Sequence, residues 1–157
     1  MVRFQMRVTM LFLVLLSTPL FAQTAVKLEA ILNSPSLNWS EAVIFVLEAS
    51  GKEDFNDPAE AFQFASRQKW LPKKAASTDT VRYSGLALLL MRSFDQKGGI
   101  FYSLFKNPHY AYRELIQKEV IRGETDPAMA VSGQELLLMV GRLLSIKEEA
   151  EQKAGIQ

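Results

Sequence analysis

Ser132-Gly133-Gln134-Glu135-Leu136-Leu137-Leu138-Met139 echoes Ser84-Gly85-Leu86-Ala87-Leu88-Leu89-Leu90-Met91, forty-eight residues earlier. A second echo lies upstream of each copy, because Phe55 and Pro58 return as Phe105 and Pro108 at a spacing of fifty. Two independent matches make chance a poor explanation. Each copy reads as a Pro-initiated segment, a loop, and a Ser-Gly-initiated apolar segment, with the first copy's loop two residues longer. Repeats of this length are usually supersecondary units that cannot bury their apolar faces alone and do so by stacking. The expected fold class is therefore all-α: a compact bundle of helix-loop-helix pseudo-repeats with about five main helices.

Local signals place the helices. Asp57-Pro58 and Asn107-Pro108 each set an acceptor for free backbone donors before a proline whose missing N–H costs nothing there. Asn38 with Glu41 and Ser132 with Glu135 have capping-box spacing. Ala42, Phe45, Val46 and Ala49 then share a face up to Gly51, so residues 26–51 read as a degenerate third copy. Glu41, Ala87 and Glu135 take comparable places in the three. In the last helix Leu136, Met139, Val140, Leu143 and Leu144 follow the helical period, and Leu137 and Leu138 widen the apolar arc. That helix is expected to be central or sandwiched. In the second copy the first helix is expected to close at Val120-Ile121-Arg122-Gly123, the glycine taking a left-handed conformation. Between the copies, Gly98-Gly99 gives a turn, and Ile100 to Phe105 is too aromatic for a bare linker. Phe101, Tyr102, Phe105, Tyr110 and Tyr112 are expected to pack inward.

The domain plan follows. Arg3 and Arg7 precede an uncharged apolar run, Val8 to Leu16, then Ser17-Thr18-Pro19 and Phe21-Ala22-Gln23. This is the layout of a signal peptide over residues 1–22, the run being shorter than the about 20 residues of a membrane span. The repeat domain covers 23–146, with units at about 26–51, 55–94 and 105–146, and a charged tail occupies 147–157. The protein is expected outside the cytoplasm, in the periplasm or cell envelope, with no membrane span after cleavage.

Composition narrows the function. Without its first 22 residues the chain has 16 basic and 17 acidic side chains, so no nucleic-acid partner is expected. There is no cysteine, hence no disulfide or thiolate metal site. His109 is the single histidine, which leaves no triad or multi-histidine centre. Glu124 and Asp126 flank Thr125 without the alternating acids and turn glycine of a calcium loop. No enzyme activity, cofactor or metal is expected. Two surfaces remain: a basic-aromatic cluster, Arg67, Lys69, Trp70, Lys73 and Lys74, suited to an anionic or sugar polymer through ion pairing and ring stacking, and, if it does not pack inward, the aromatic cluster at 101–112, whose tyrosines offer an apolar body with a polar tip.

The second copy's Ala111, Val120-Ile121, Gly123, Pro127 and Val131-Ser132-Gly133-Gln134-Glu135 resemble a divergent S-layer homology (SLH) domain. That helix-loop-helix repeat generally occurs in threes and attaches exported proteins to cell-wall polymers. The resemblance implies a non-enzymatic envelope module whose partner is a cell-wall polymer, with an envelope protein as the alternative partner. The family's polymer-contacting arginine falls on Gly133, and on Gly85 in the first copy. Arg82, with Lys73 and Lys74, is the nearest substitute on the loop 70–83. Fractionation of producing cells, followed by N-terminal sequencing, should find a chain beginning at Gln23 outside the cytoplasm; an intact cytoplasmic chain would refute the export reading.

Overall fold

The computed structural model describes residues 28–155; the expected signal peptide lies outside the described residues. A helical stretch at 28–32 leads into six helices: α1 (Trp39–Ser50), α2 (Pro58–Arg67), α3 (Tyr83–Ser93), α4 (Ile100–Phe105), α5 (Pro108–Gln117) and α6 (Gly133–Ala154). The chain is an all-α bundle. The expected caps are in place: Asn38 and Glu41 satisfy each other's backbone, as do Ser132 and Glu135, and Gly51 closes α1 at φ 67°. Asp57 accepts from Ala59 N–H at 2.8 Å and Asn107 from Tyr110 N–H at 3.0 Å.

The units meet in a ring of backbone hydrogen bonds. Leu37 N–H donates to Val131 C=O (3.0 Å), Val131 N–H to Val81 C=O (3.0 Å), and Val81 N–H to Leu37 C=O (2.8 Å). All three side chains are buried, so these backbone groups have no water to fall back on. One step outward, the first amides of α1 and α3 donate to the next unit's loop: Trp39 to Asp79 C=O (3.2 Å) and Tyr83 to Met129 C=O (3.1 Å). Gly133 of α6 donates to Ser34 C=O at 2.9 Å. At the starts of α1, α3 and α6, orphan donors are thus satisfied in part by a neighbouring unit. This is a pseudo-threefold arrangement in which residues 28–50 supply the third unit.

Helix contacts follow the same rotation. α2 packs on α1, and α5 packs on α3. The stretch 28–32 meets the start of α6 so closely that a Cβ at Gly133 would lie 1.6 Å from the Ile31 carbonyl oxygen. The first unit therefore lies on the last, and the two ends of the described chain close the circle.

This geometry revises the repeat register. Val81 and Val131 occupy equivalent places, the α2–α3 and α5–α6 loops are equal in length, and one offset of fifty runs through both copies. The Ser-Gly match is out of step by two. α3 starts at Tyr83 after Arg82, which has no capping side-chain bond, because the loop carbonyls of the next unit cap it instead: Ser84 N–H donates to Pro127 C=O at 3.0 Å. The partners of Glu41 and Glu135 are then Gly85, not Ala87, and those of Gly133 are Tyr83 and Trp39. Likewise α5 closes at Glu119 (φ 56°), as α2 does at Lys69 (φ 58°), with Gly123 further along the loop.

Two other expectations change. The central helix is α3, whose residues Leu86 to Met91 are all buried, whereas Leu138 on α6 is 57% exposed. α3 packs against both α1 and α5. The charged segment is also no separate tail, since α6 runs on to Ala154 with exposed side chains. Glu, Lys, Gln and Ala carry good helix propensity, and no glycine or proline intervenes before Gly155. Among the described residues no helix is long and apolar enough to cross a membrane.

Two glycines of α6 should respond in opposite directions. Gly141 has nothing within 4 Å of an added Cβ, so Gly141→Ala should stabilise by about 0.5–1 kcal/mol. Gly133→Ala must push Ile31 away and should cost about 1–3 kcal/mol. Urea denaturation measures both, and equal effects would mean that the 28–34 segment does not seat on α6.

Candidate functional site

Trp70 leaves α2 through a left-handed turn at Lys69, held by a bond from Trp70 N–H to Ala65 C=O at 3.0 Å. Its indole sits edge-on to Phe64, centroids 5.7 Å apart, and Phe64 packs on Phe55 at 5.4 Å. Trp70 is only partly buried. Its free side lines a cleft of about 450 Å³ closed by Met91 and Arg92 at the end of α3, the turn 95–98, and Tyr102, Ser103 and Lys106 of α4 and its cap. Burial raises the Tyr102 phenol above its ordinary value while the Arg92 charge pulls the other way. The ring is therefore a neutral wall at physiological pH.

The cleft is electropositive. Arg92, Lys97 and Lys106 line it with one acid, Asp95, and that carboxylate is taken by an ion pair with Lys52. Arg92 Nε is buried without a hydrogen-bond partner, and no carboxylate among the described residues pairs with the guanidinium. An unpaired, partly desolvated cation is costly. A bound anion relieves that cost, and an indole beside it offers a flat face to a sugar ring.

The structure scatters the other residues expected from sequence. Arg67, Lys69, Lys73 and Lys74 are exposed, and none lines this cleft. Lys73 and Lys74 ride the tip of a turn closed by Ala75 N–H to Pro72 C=O at 3.0 Å. Arg82 is engaged elsewhere, its guanidinium donating to Ala128 C=O of the second loop. Arg92, Lys97 and Lys106 were not evident as site residues, because they surround Trp70 only once α4 folds back over the α3 exit. Among the described residues, no three His, Asp or Glu side chains gather as they would around a metal.

A second, smaller hollow of about 220 Å³ lies where α3 and α6 begin, lined by Tyr83, Glu124, Thr125, Glu135 and Arg142 among others. Tyr83 is the counterpart of Trp39, which lies over Gly85 at a distance that leaves no room for a Cβ. In the Tyr83 copy the opposing position holds Glu135 instead. Burial, then the pairing with Glu135, raises the Tyr83 phenol. Burial alone would raise the Glu135 carboxyl, but bonds from the Ser132 backbone, Tyr83 and the Ser132 hydroxyl outweigh it and hold the group below its ordinary value. These bonds make the hollow a structural joint: Ser132 N–H and hydroxyl both reach Glu135 Oε2, at 2.7 and 2.8 Å. Neither a family model, nor a curated protein, nor a solved structure matches this chain.

A carboxyl held low in the folded state stabilises above its unfolded value, and that contribution is lost as pH falls through the folded value. The wild type should therefore lose stability on acidification below about pH 4.5 more steeply than Glu135→Gln. Parallel acid limbs in urea melts of the two proteins would show that Glu135 is not held by these bonds.

Proposed function

We propose that this chain is a non-enzymatic, exported cell-envelope module, SLH-like in its repeats, that contacts the cell wall or another anionic envelope polymer. One observation carries the reading: the Trp70 cleft, with the unpaired Arg92 and the lysines 97 and 106 around an indole. Polymer contact moves accordingly from the loop 70–83 to the far side of Trp70. Arg82, first considered a substitute for the family's arginine, already bonds to the second loop. The places equivalent to that arginine hold Trp39, Tyr83 and Gly133, none of them cationic. The three-unit arrangement agrees with a repeat that occurs in threes, and the near-balanced charge of the chain leaves this cleft as a local rather than global attraction.

Binding of the chain from Gln23 to purified sacculi tests the reading. Trp70→Ala and Arg92→Gln should each weaken binding about tenfold and reduce its sensitivity to salt in the arginine variant. Lys73→Gln with Lys74→Gln should change it little. Wild-type levels of binding in the first two variants would sink the cleft, and no sacculus binding at all would favour an envelope protein as partner.

A further inference from the structure

α4 is built inside out. Tyr102 is its buried anchor, and Ser103 turns back to the Gly98 carbonyl at 3.2 Å. The remaining apolar side chains point to solvent: Ile100 is 83% exposed, Phe101 63%, Leu104 72% and Phe105 54%. At spacings of one and four they share one helix face. They leave on the order of 500 Å² of apolar surface in water, within the roughly 300–600 Å² of a monomer's largest patch, where function is common. Phe101 and Phe105 also stack on Tyr110, at 5.7 and 5.4 Å with nearly parallel rings. The inward packing expected for this aromatic cluster holds for Tyr102 and Tyr112 and fails for the two phenylalanines.

The rim of this face is mainly cationic. Lys97 precedes the helix, Lys106 caps it, and Arg113 shares a depression with Phe101 and Tyr110; all three are exposed. Of the acids in the same region Asp95 is ion-paired with Lys52, and Glu114, which accepts from Gly99 N–H at 2.8 Å, is the one acid set against these three cations. A short protruding helix with an apolar tip, amphipathic aromatics at its flank and cations around it matches the chemistry of an anionic bilayer surface: acyl chains accept the tip and headgroups meet the cations. We propose that the outward face of α4 docks on an anionic lipid bilayer, seating the domain on a membrane without spanning it. The inward side of the same helix walls the Trp70 cleft, so a docked domain would hold that cleft close to the membrane. The proposal does not depend on the polymer reading.

The test is co-flotation with vesicles of phosphatidylcholine alone or mixed with phosphatidylglycerol, using the chain from Gln23, which contains every described residue. Wild type should bind the mixed vesicles at least about tenfold more tightly than the neutral ones, with weaker binding as salt rises. Ile100→Asp with Leu104→Asp should abolish binding to both, and Lys97→Gln with Lys106→Gln should erase the preference for the anionic lipid. All these positions are exposed, so circular dichroism and melting should be unchanged, and Trp70→Ala should float like wild type. Binding by the double aspartate variant equal to wild type, or indifference to phosphatidylglycerol, overturns the proposal. So does failure to float, whether the protein is a monomer or sediments as a dimer that the double aspartate variant abolishes; the dimer would identify a second copy as the occupant.

Discussion

Three backbone hydrogen bonds among Leu37, Val81 and Val131 hold the architecture. Each of these residues donates to one neighbour and accepts from the other, so the set closes only if all three units are present and rotated by similar amounts. Because the three side chains are buried, opening one bond leaves a donor and an acceptor without water, at a cost of about 1–3 kcal/mol for each group. The ring then dictates how helices begin. Trp39 and Tyr83 send their amides to carbonyls of the next unit's loop, Gly133 to that of Ser34, which is why Arg82 can stand at a cap position where a side-chain acceptor would normally be needed.

A rotation that repeats the backbone does not repeat the side chains. At one equivalent position Trp39 covers Gly85, which Pro72 also approaches; at the second, Tyr83 meets Glu135 and lies edge-on to Tyr112 at 6.5 Å; at the third, Gly133 admits the Ile31 carbonyl. The three joints are closed by an indole over a glycine, by a phenol–carboxylate pair and by backbone contact. None of them leaves a free cation. Arg92, whose Nε is buried without a partner, and the exposed Lys97 and Lys106 lie instead at the exit of α3 and, outside the pseudo-symmetric frame, around α4 in the insertion between the second and third units.

That insertion shapes both surfaces of interest. Its turn, 95–98, and the Tyr102 anchor complete the cleft beside Trp70, while its other face places Ile100, Phe101, Leu104 and Phe105 in solvent. Burying those four residues within the domain would require a further element over α4, and none of the described residues provides one. The exposed face is therefore a consequence of a short helix held by one side only.

The helical class, the caps at Asn38, Asp57, Asn107 and Ser132, and the core line of Leu136, Met139, Val140 and Leu143 were legible in the chain itself, because capping and periodicity are local in sequence and need no partner to be recognised. Duplication was legible too, but its register was not. Ser84-Gly85 resembles Ser132-Gly133 in residue type, whereas the offset of fifty is set by Val81 meeting Val131 across the axis, a contact between residues far apart in the chain. The cleft depends in the same way on distance: Trp70 reads as basic-flanked from Arg67 to Lys74, yet the charges that line its free side are Arg92, Lys97 and Lys106, brought there by the fold of α4. Sequence alone determined the main helical segments and how those with side-chain caps start; tertiary structure decided how α3 starts, which helix is most buried, which aromatic rings face solvent and which cations share a cleft, since burial and proximity are properties of pairs of elements and not of any one of them.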